Sequence, residues 1–532
     1  MIGEQITAAR DLYKFTAPAV VAQQAAIDAA QRASFEAFEA WLARNGAAFP
    51  GLKLECYTEN VRGVYADVDI PARTRIMHIP LACLITDALA RATPLGQKVY
   101  ALRFALVVPT HSLVIVYILT EMSAARDQRR RAAGPLGCSK TDGGARARKS
   151  PDDAAGSGAE ESEISFFQPY FDVLPRDLSN FPVYWRDAEL ELLRGSALHR
   201  EIAQRNVNIK ADFDVLSRKI PELAAYSCWT HADFMWCRTI VASRNFSITV
   251  DGVGCTAMVP QADMLNHFRP RETSWTYEQD LGAFTMKSLV NLSGGRQVMD
   301  SYGKKCNSRF LLHYGFAVER NVEVDGSSPD MLQIVFTAEQ CVALAAELDV
   351  ARNAELDSRI IDETPEQLGS GAATKQRHAG GDGGSGGAST GSSSSAADLV
   401  DAALAADIAK RSRDRALLDF KLQSLASTKR ARLTRGADAS DTAGAMAYLR
   451  VACATRAELG CARVSGGHGC AVISAANELA ALRGLALGCR RYLSLQPRTL
   501  AEDCALLERT TPFSNERNAL LVTSGEKVSA GR

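Results

Sequence analysis

Two tracts of this 532-residue chain cannot build a core, and they set the outline for everything between them. The first, about 123–163, is rich in Arg, Gly, Ala, Ser and Asp. The second, about 367–397, holds the glycine-rich run 380–387 and four serines at 392–395. Stretches so poor in apolar side chains cannot offset the entropy lost on ordering, so both are expected to be disordered loops or linkers. The remainder has ordinary globular composition, 46% hydrophobic and 23% charged, and is long enough for two or three domains. No internal repeat is visible.

Periodicity divides the remainder. Residues 16–46 predict a helix, with Phe35, Phe38, Trp41 and Leu42 at helical spacing and Gly46 as its stop. Short strand-like runs follow at 52–57, 63–68 and 75–80, separated by turn residues. The most apolar stretch, 104–120, is broken by Pro109, Thr110, His111 and Ser112; it is short for a membrane span and predicts a buried core helix or helix pair. Helical patterns return at 187–220 and 231–243, and strand signals at 255–260, 283–289 and 297–299. Beyond residue 398 the pattern is mostly helical. The segment 477–495 places Leu479, Leu482, Ala486, Cys489 and Leu493 on one expected apolar face. Thr499 and Glu502 form a capping-box pair. Short strands split by a helical insert, then a helical block, predict an α+β fold rather than a regularly alternating α/β one.

Charge and cysteine usage narrow the function classes. Lys plus Arg and Asp plus Glu both number 61, so the chain lacks the strongly basic footprint of a nucleic-acid binder. The basic runs 126–131 and 429–435 are expected to be solvated faces. The 13 cysteines form no C-x-x-C pair and no zinc spacing, which predicts reduced, mostly buried thiols, no metal and an intracellular protein. Met1-Ile-Gly-Glu-Gln has no secretory character, and cytoplasm, nucleus and plastid all remain open as compartments.

Candidate chemistry gathers in one region. Asp263-Met-Leu-Asn-His267 follows a strand, and an Asp, Asn and His so placed can orient a ligand or can cap a turn. Ser301-Tyr-Gly303 and Ser243-Arg-Asn-Phe246 are less specific still. No dinucleotide fingerprint, phosphate loop or nucleophile elbow appears.

The order of these pieces adds information. The chain reads Arg62-Gly-Val-Tyr-Ala66, Asp69-Ile70, Ile79-Pro80, Pro169-Tyr170, Leu174-Pro175, Ser243-Arg244, Val259-Pro260, Asp263, Asn266-His267, Gly295-Arg-Gln-Val298, Ser301-Tyr-Gly303, Asn307 and His313-Tyr-Gly-Phe316. This series resembles the SET domain, in the branch that includes Rubisco large-subunit lysine methyltransferase and actin-histidine methyltransferase. Tyr448-Leu-Arg-Val451, Asn477-Glu478, Leu482, Thr499-Leu-Ala-Glu-Asp503 and Gly525-Glu-Lys527 resemble the Rubisco-substrate-binding domain that follows SET in that branch. The resemblance implies a helical segment at 1–50, a SET domain at 51–320 with a helical insert at about 95–245, and a helical substrate-binding-like domain at 321–532. The tracts 123–163 and 367–397 are loops in that layout.

The resemblance also implies a SAM-dependent protein methyltransferase. Asn60, Val61, Arg62, Arg244, Asn266, His267 and Tyr314 would hold S-adenosyl-L-methionine. Arg244, Phe246, Asp263 and Tyr302 would line the substrate site, with Tyr302 the catalytic tyrosine. His313 is expected to be structural. The histidine-modifying relative has Asn where this chain has Phe246 and Trp where it has Ala262, whereas lysine-modifying relatives carry Phe and Ala. A lysine on a non-histone protein is therefore the expected target, with a protein-histidine methyltransferase or a non-catalytic SET-fold binding module as alternatives. The expected partner is a protein substrate bound through the C-terminal domain, with no nucleic acid, no membrane and a monomeric chain. Two positions depart from the family pattern. Val61 stands where the cofactor loop has Gly, and Gly295-Arg296 replaces Gly-Glu at what is expected to be an exposed site.

Overall fold

The computed structural model describes residues 21–58, 61–132, 164–337, 428–435, 440–455, 458 and 472–531. The chain divides into two compact units, Met1–Pro329 with Leu506–Val522, and Asp330–Ala505 with Thr523–Arg532. The fold is α+β. All of 133–163 and all of 367–397 lie outside the described residues.

In the first unit, helix α1 (Val21–Arg44) turns Phe35, Phe38, Trp41 and Leu42 into the core and ends before Gly46. Strands β1 (Leu52–Thr58), β2 (Val61–Ala66), β3 (Arg75–Pro80) and β4 (Ile85–Thr86) follow, then helices α2 (Asp87–Ala92) and α3 (Pro94–Ala101). The apolar stretch expected to be wholly buried is not. Phe104 sits on a short turn with 88% of its surface exposed. Helix α4 starts only at Pro109, where the missing N–H is harmless, and runs to Ala132. It therefore takes in 123–132, which the composition assigned to a disordered loop. The reason lies in partners far along the chain: Met122, Ser123 and Ala125 are buried, and Arg126, expected to be solvated, pairs with Asp233 through two hydrogen bonds of 2.8 and 2.7 Å.

Next come α5 (Gln168–Val173), α6 (Asp187–Leu190), α7 (Ala197–Lys219) and α8 (His231–Arg244). The single helix expected at 187–220 is broken between α6 and α7. Gly195 adopts φ +90°, open to glycine at no steric cost, and Ser196 then caps α7 through Leu198 N. The remaining elements are β5 (Asn245–Val250), β6 (Val253–Met258), β7 (Asn266–His267), β8 (Thr273–Glu278), β9 (Ala283–Ser288), β10 (Gln297–Asp300) and α9 (Asn307–Tyr314). Sequence reading missed β5 and β8, although Phe246, Ile248 and Val250 alternate and Thr273–Glu278 is rich in β-branched and aromatic residues.

These strands form small sheets in the orders β1-β2-β10-β7, β3-β9-β8 and β4-β6-β5. All their pairings are antiparallel except β7 with β10, which run parallel with Asn266 opposite Met299 and His267 opposite Asp300. That exception places the site. A smaller apolar cluster draws in the distant end of the chain: Ala519 and Val522 pack with Trp185, Leu198, Ile202 and Leu311.

The second unit holds most of β11 (Ser328–Thr337), β12 (Thr428–Arg435), α10 (Ser440–Cys453), α11 (Ala475–Ser494), most of α12 (Leu500–Leu507) and the second half of α13 (Asn515–Ala530). α11 lies where periodicity placed it, but it buries a different face. Leu479, Leu482 and Leu493 are exposed, while Asn477, Ala481, Gly484 and Tyr492 are buried. Ala481 joins Tyr448 and Leu449 of α10 in one cluster, and a Cβ at Gly488 would press on the Phe336 ring at 3.0 Å. Small residues let neighbours approach closely, and that outweighs the leucines. The capping box forms as expected: Thr499 N donates to Glu502 Oε2 at 2.7 Å and Glu502 N to Thr499 Oγ1 at 3.3 Å.

Candidate active site

The parallel β7–β10 pairing sets Asn266-His267 beside Asp300-Ser301-Tyr302. Phe268 N donates to Asp300 O at 2.9 Å and Tyr302 N to His267 Nδ1 at 3.0 Å. Nδ1 must therefore be an acceptor, which fixes the neutral tautomer with its proton on Nε2. Burial, helped by Arg269 and Lys305, lowers the His267 pKa to about 3, so the acceptor persists at neutral pH. Gly303 turns the chain directly afterwards at φ +91°, a value few other residues tolerate. The Tyr302 hydroxyl donates to Leu265 O at 2.7 Å. Burial pushes its phenol well above the usual range, so it stays protonated.

Aromatic rings gather around Tyr302. Its centroid lies 4.7 Å from Tyr314 and 5.2 Å from His267, and both pairs are stacked. Phe310 approaches His267 at 4.7 Å and Phe316 at 5.3 Å. Helix α9, whose amide-bearing Asn307 is tied to Val318 O and N at 2.9 and 2.7 Å, presents Phe310 and Tyr314 together. Electron-rich faces so clustered suit a desolvated cation.

The start of β2 closes on the same place. Asn266 Nδ2 donates to Arg62 O at 2.8 Å, and the Arg62 guanidinium bonds Val173 O at the end of α5. Val61 is extended, paired with Thr58, so no left-handed backbone is needed there. Packing requires a glycine at Gly63: a Cβ on it would fall on the Gln297 side-chain amide and lie 3.2 Å from Asn266 Nδ2. Asn60 and the Val61 side chain lie outside the described residues.

The site turn begins unusually. Gln261, fully buried, holds φ +72°, and its amide reaches Glu39 of α1 at 3.3 Å. Arg244, at the end of α8, donates to Asp263 O at 2.7 Å and faces Asp263 Oδ2 at 3.4 Å. The Asp263 carboxylate has no solvent exposure and also accepts from Tyr170 at 2.7 Å, so it is turned into the protein. Burial raises its pKa, against the pull of Arg244, Tyr170 and Arg62. Phe246, half-buried on β5, is edge-on to Trp275 and Phe284 at 5.2 Å each.

Comparison with known proteins agrees with this geometry. Residues 412–528 match the family model described as Rubisco LSMT substrate-binding. Over 290 residues the chain is 23% identical to the actin-histidine N-methyltransferases of Homo sapiens and Rattus norvegicus, covering 53% of this chain and 42% of theirs. It thus spans less than half the length of those curated relatives. The crystal structure of the SET domain of LSMT bound to MeLysine and AdoHcy superposes with a TM-score of 0.59 at 18% identity, covering 94% of this chain and 90% of that one. The structure of Rubisco LSMT bound to AdoMet gives 0.60 at 17% over the same shares. The chain has the SET-domain fold of Rubisco LSMT.

Within this SET fold, the sequence-derived residues Arg62, Arg244, Asp263, Asn266, His267, Tyr302 and Tyr314 are joined by the hydrogen bonds and ring contacts above, while Phe246 sits in the adjoining aromatic group with Trp275 and Phe284. Sequence reading did not single out two neighbours of the site. Lys305, half-buried, bonds Tyr302 O and stands 5.7 Å over the Tyr314 ring; burial and the nearby Arg309 and Arg269 lower its pKa. Tyr170, in sequence only part of the Pro169-Tyr170 motif, is the second. Arg296, expected to be exposed, is half-buried and pairs at 2.5 Å with the buried Glu272. His313, expected to be structural, accepts from Arg205 at 3.0 Å. Cys83, Cys228, Cys237 and Cys255 are buried free thiols, and Cys306 is buried with its Sγ 3.1 Å from Ser308 Oγ.

Proposed function

We propose that this protein is an S-adenosyl-L-methionine-dependent protein-lysine N-methyltransferase acting on a non-histone protein. The observation that carries the reading is the parallel β7–β10 contact, which brings Asn266-His267 and Tyr302 together under the Arg62 carbonyl. The named relatives and structural neighbours, which are methyltransferases or are bound to AdoMet or AdoHcy, support it. Bound there, the cofactor supplies an electrophilic methyl group on a sulfonium.

The chain's own residues do the rest. A free lysine amine must lose a proton to attack; from about 10.4 to pH ~7.4 that costs roughly 4 kcal/mol. A desolvated channel lowers the cost by disfavouring the ammonium. Tyr302, donating to Leu265 O, keeps its oxygen lone pairs for an amine N–H and so aims the nitrogen. His267 holds the Tyr302 backbone through Nδ1, and the Tyr302, Tyr314 and Phe310 rings exclude water. Such positioning contributes much of the rate in an in-line displacement. The 412–528 domain is the surface on which a protein substrate would dock.

Two residues favour lysine over histidine. Phe246 offers a ring rather than an amide, and an imidazole target needs a hydrogen-bond partner. Ala262 is 1% exposed, so the larger side chain of the histidine-modifying relative has no room without rearrangement. The test is incubation of the chain with methyl-labelled SAM and candidate polypeptides, then mass spectrometry of the product. Methyl-lysine formed by the wild type, with Tyr302→Phe losing most activity yet still binding SAM, is expected. Methylation on histidine alone would refute the lysine assignment, and unchanged turnover by Tyr302→Phe would remove that residue from the mechanism.

A further inference from the structure

Tyr170 has no part in the reaction as described, yet its hydroxyl reaches the site from another element. It is completely buried on α5 and donates to Asp263 Oδ2 at 2.7 Å. The Asp263 carboxylate is shut off from solvent, so water cannot replace that donor. The same carboxylate oxygen faces Arg244 Nη1 at 3.4 Å, and Nη1 also donates to Asp263 O at 2.7 Å. Arg244 therefore grips residue 263 by both backbone and side chain, and Tyr170 holds the carboxylate in place for it. Two residues on, Leu265 O receives the Tyr302 hydroxyl at 2.7 Å. α5 reaches the site by a second route as well, through Val173 O to the Arg62 side chain.

We propose that Tyr170 is a positioning residue: its hydroxyl holds the Asp263 carboxylate against Arg244 and thereby sets the turn that carries Leu265, Asn266 and His267 relative to Tyr302. This rests on the methyl-transfer reading of the site. The groups facing Asp263 are Tyr170 from α5, Arg244 from α8, Arg62 from β2 and Tyr302 after β10. Burial raises the carboxyl pKa while Arg244, Tyr170 and Arg62 lower it, so deleting the tyrosine hydroxyl raises it further. Asp263 would then take up a proton, and release Arg244, at a higher pH.

The experiment compares wild type, Tyr170→Phe, Asp263→Asn and the double variant as full chains. Methyl-transfer kinetics and S-adenosylhomocysteine affinity by calorimetry are measured from pH 5 to 9. Tyr170→Phe is expected to lower kcat about ten- to a hundredfold, the loss typical of a buried charged acceptor deprived of one donor. Its acid limb moves to higher pH in both kinetics and binding. Asp263→Asn abolishes that limb, and adding Tyr170→Phe to it costs much less than the single losses combined. A Tyr170→Phe variant with wild-type kcat and an unmoved acid limb overturns the proposal. So does a lowered melting temperature with unchanged kinetics, or strict additivity in the double variant. If the wild type transfers no methyl group, the functional reading fails by itself, and the acid limb of S-adenosylhomocysteine binding decides the role of Tyr170. Should Tyr170→Phe not fold, the chain carrying 3-fluorotyrosine at position 170 decides: its more acidic hydroxyl is a stronger donor to Asp263, so the acid limb moves to lower pH, and an unmoved limb overturns the proposal.

Discussion

Acidification should unfold the SET-fold unit through histidines that cannot take a proton while folded. His267, His111 and His313 are all held down to about 3, in each case by burial first and neighbouring cations second. For His111 and His313 the cations include Arg205. In the unfolded chain each imidazole titrates near 6.5. A folded pKa below the unfolded one means that the unfolded state binds the proton first. The stability these groups contribute is therefore complete above about pH 6.5 and drains as pH falls toward 3. One fully linked proton is worth about 1.4 kcal/mol per pH unit, so three give roughly 4 kcal/mol lost for each unit near pH 5. Against a typical domain stability of about 5–15 kcal/mol, that is enough to unfold the unit within two or three units. The check is NMR of chain labelled at histidine Cε1, with urea melts at pH 7.5 and 5.5. The three resonances should not move above pH 5. His313→Gln, which keeps an acceptor for Arg205, should reduce the slope by about one proton. A titration midpoint above about 5.5 for any of the three would refute the reasoning, because that imidazole would then be reachable by solvent or paired with an anion.

Other consequences are narrower. Gly63→Ala should weaken SAM binding at least tenfold by calorimetry, because its methyl group must displace Gln297 and crowd Asn266; Gly→Ala without effect would mean that the strand has room to shift. Arg238 is buried, and among the described residues its Nη1 has no hydrogen-bond partner. Its charge faces the buried Asp212, so Arg238→Met, which leaves that carboxylate alone, should lower urea stability by about 3 kcal/mol, and an unchanged midpoint would show that the two charges are not coupled. In the second unit, Asp503 has a fully buried carboxylate bonded to Arg498 at 2.8 Å, Thr523 at 3.0 Å and Lys527. Lys527→Met should cost about 3 kcal/mol, read as lost hydrogen-exchange protection across Leu500–Leu507, with Arg498 limiting the damage.

The sequence by itself determined the local elements and the kind of site. Apolar spacing placed α1, α8 and α11 to within a few residues, turn residues bounded β1 and β3, and the ordered motifs pointed to the SET fold. These are legible because period and turn chemistry act over a few residues. Only the tertiary structure decided what each face meets. The leucines of α11 lost the core to Ala481 and Gly484, since amphipathic spacing reports a stripe but not the neighbour whose backbone comes close. Residues 123–132 became helix because Arg126 finds Asp233 107 positions away. That Gly63 must lack a side chain is a matter of Gln297 arriving from another strand. Asp263, which reads in sequence as a residue facing the ligand, turned inward to Tyr170, 93 positions away. Each outcome depends on two segments meeting across long stretches of chain, and no local pattern records that meeting.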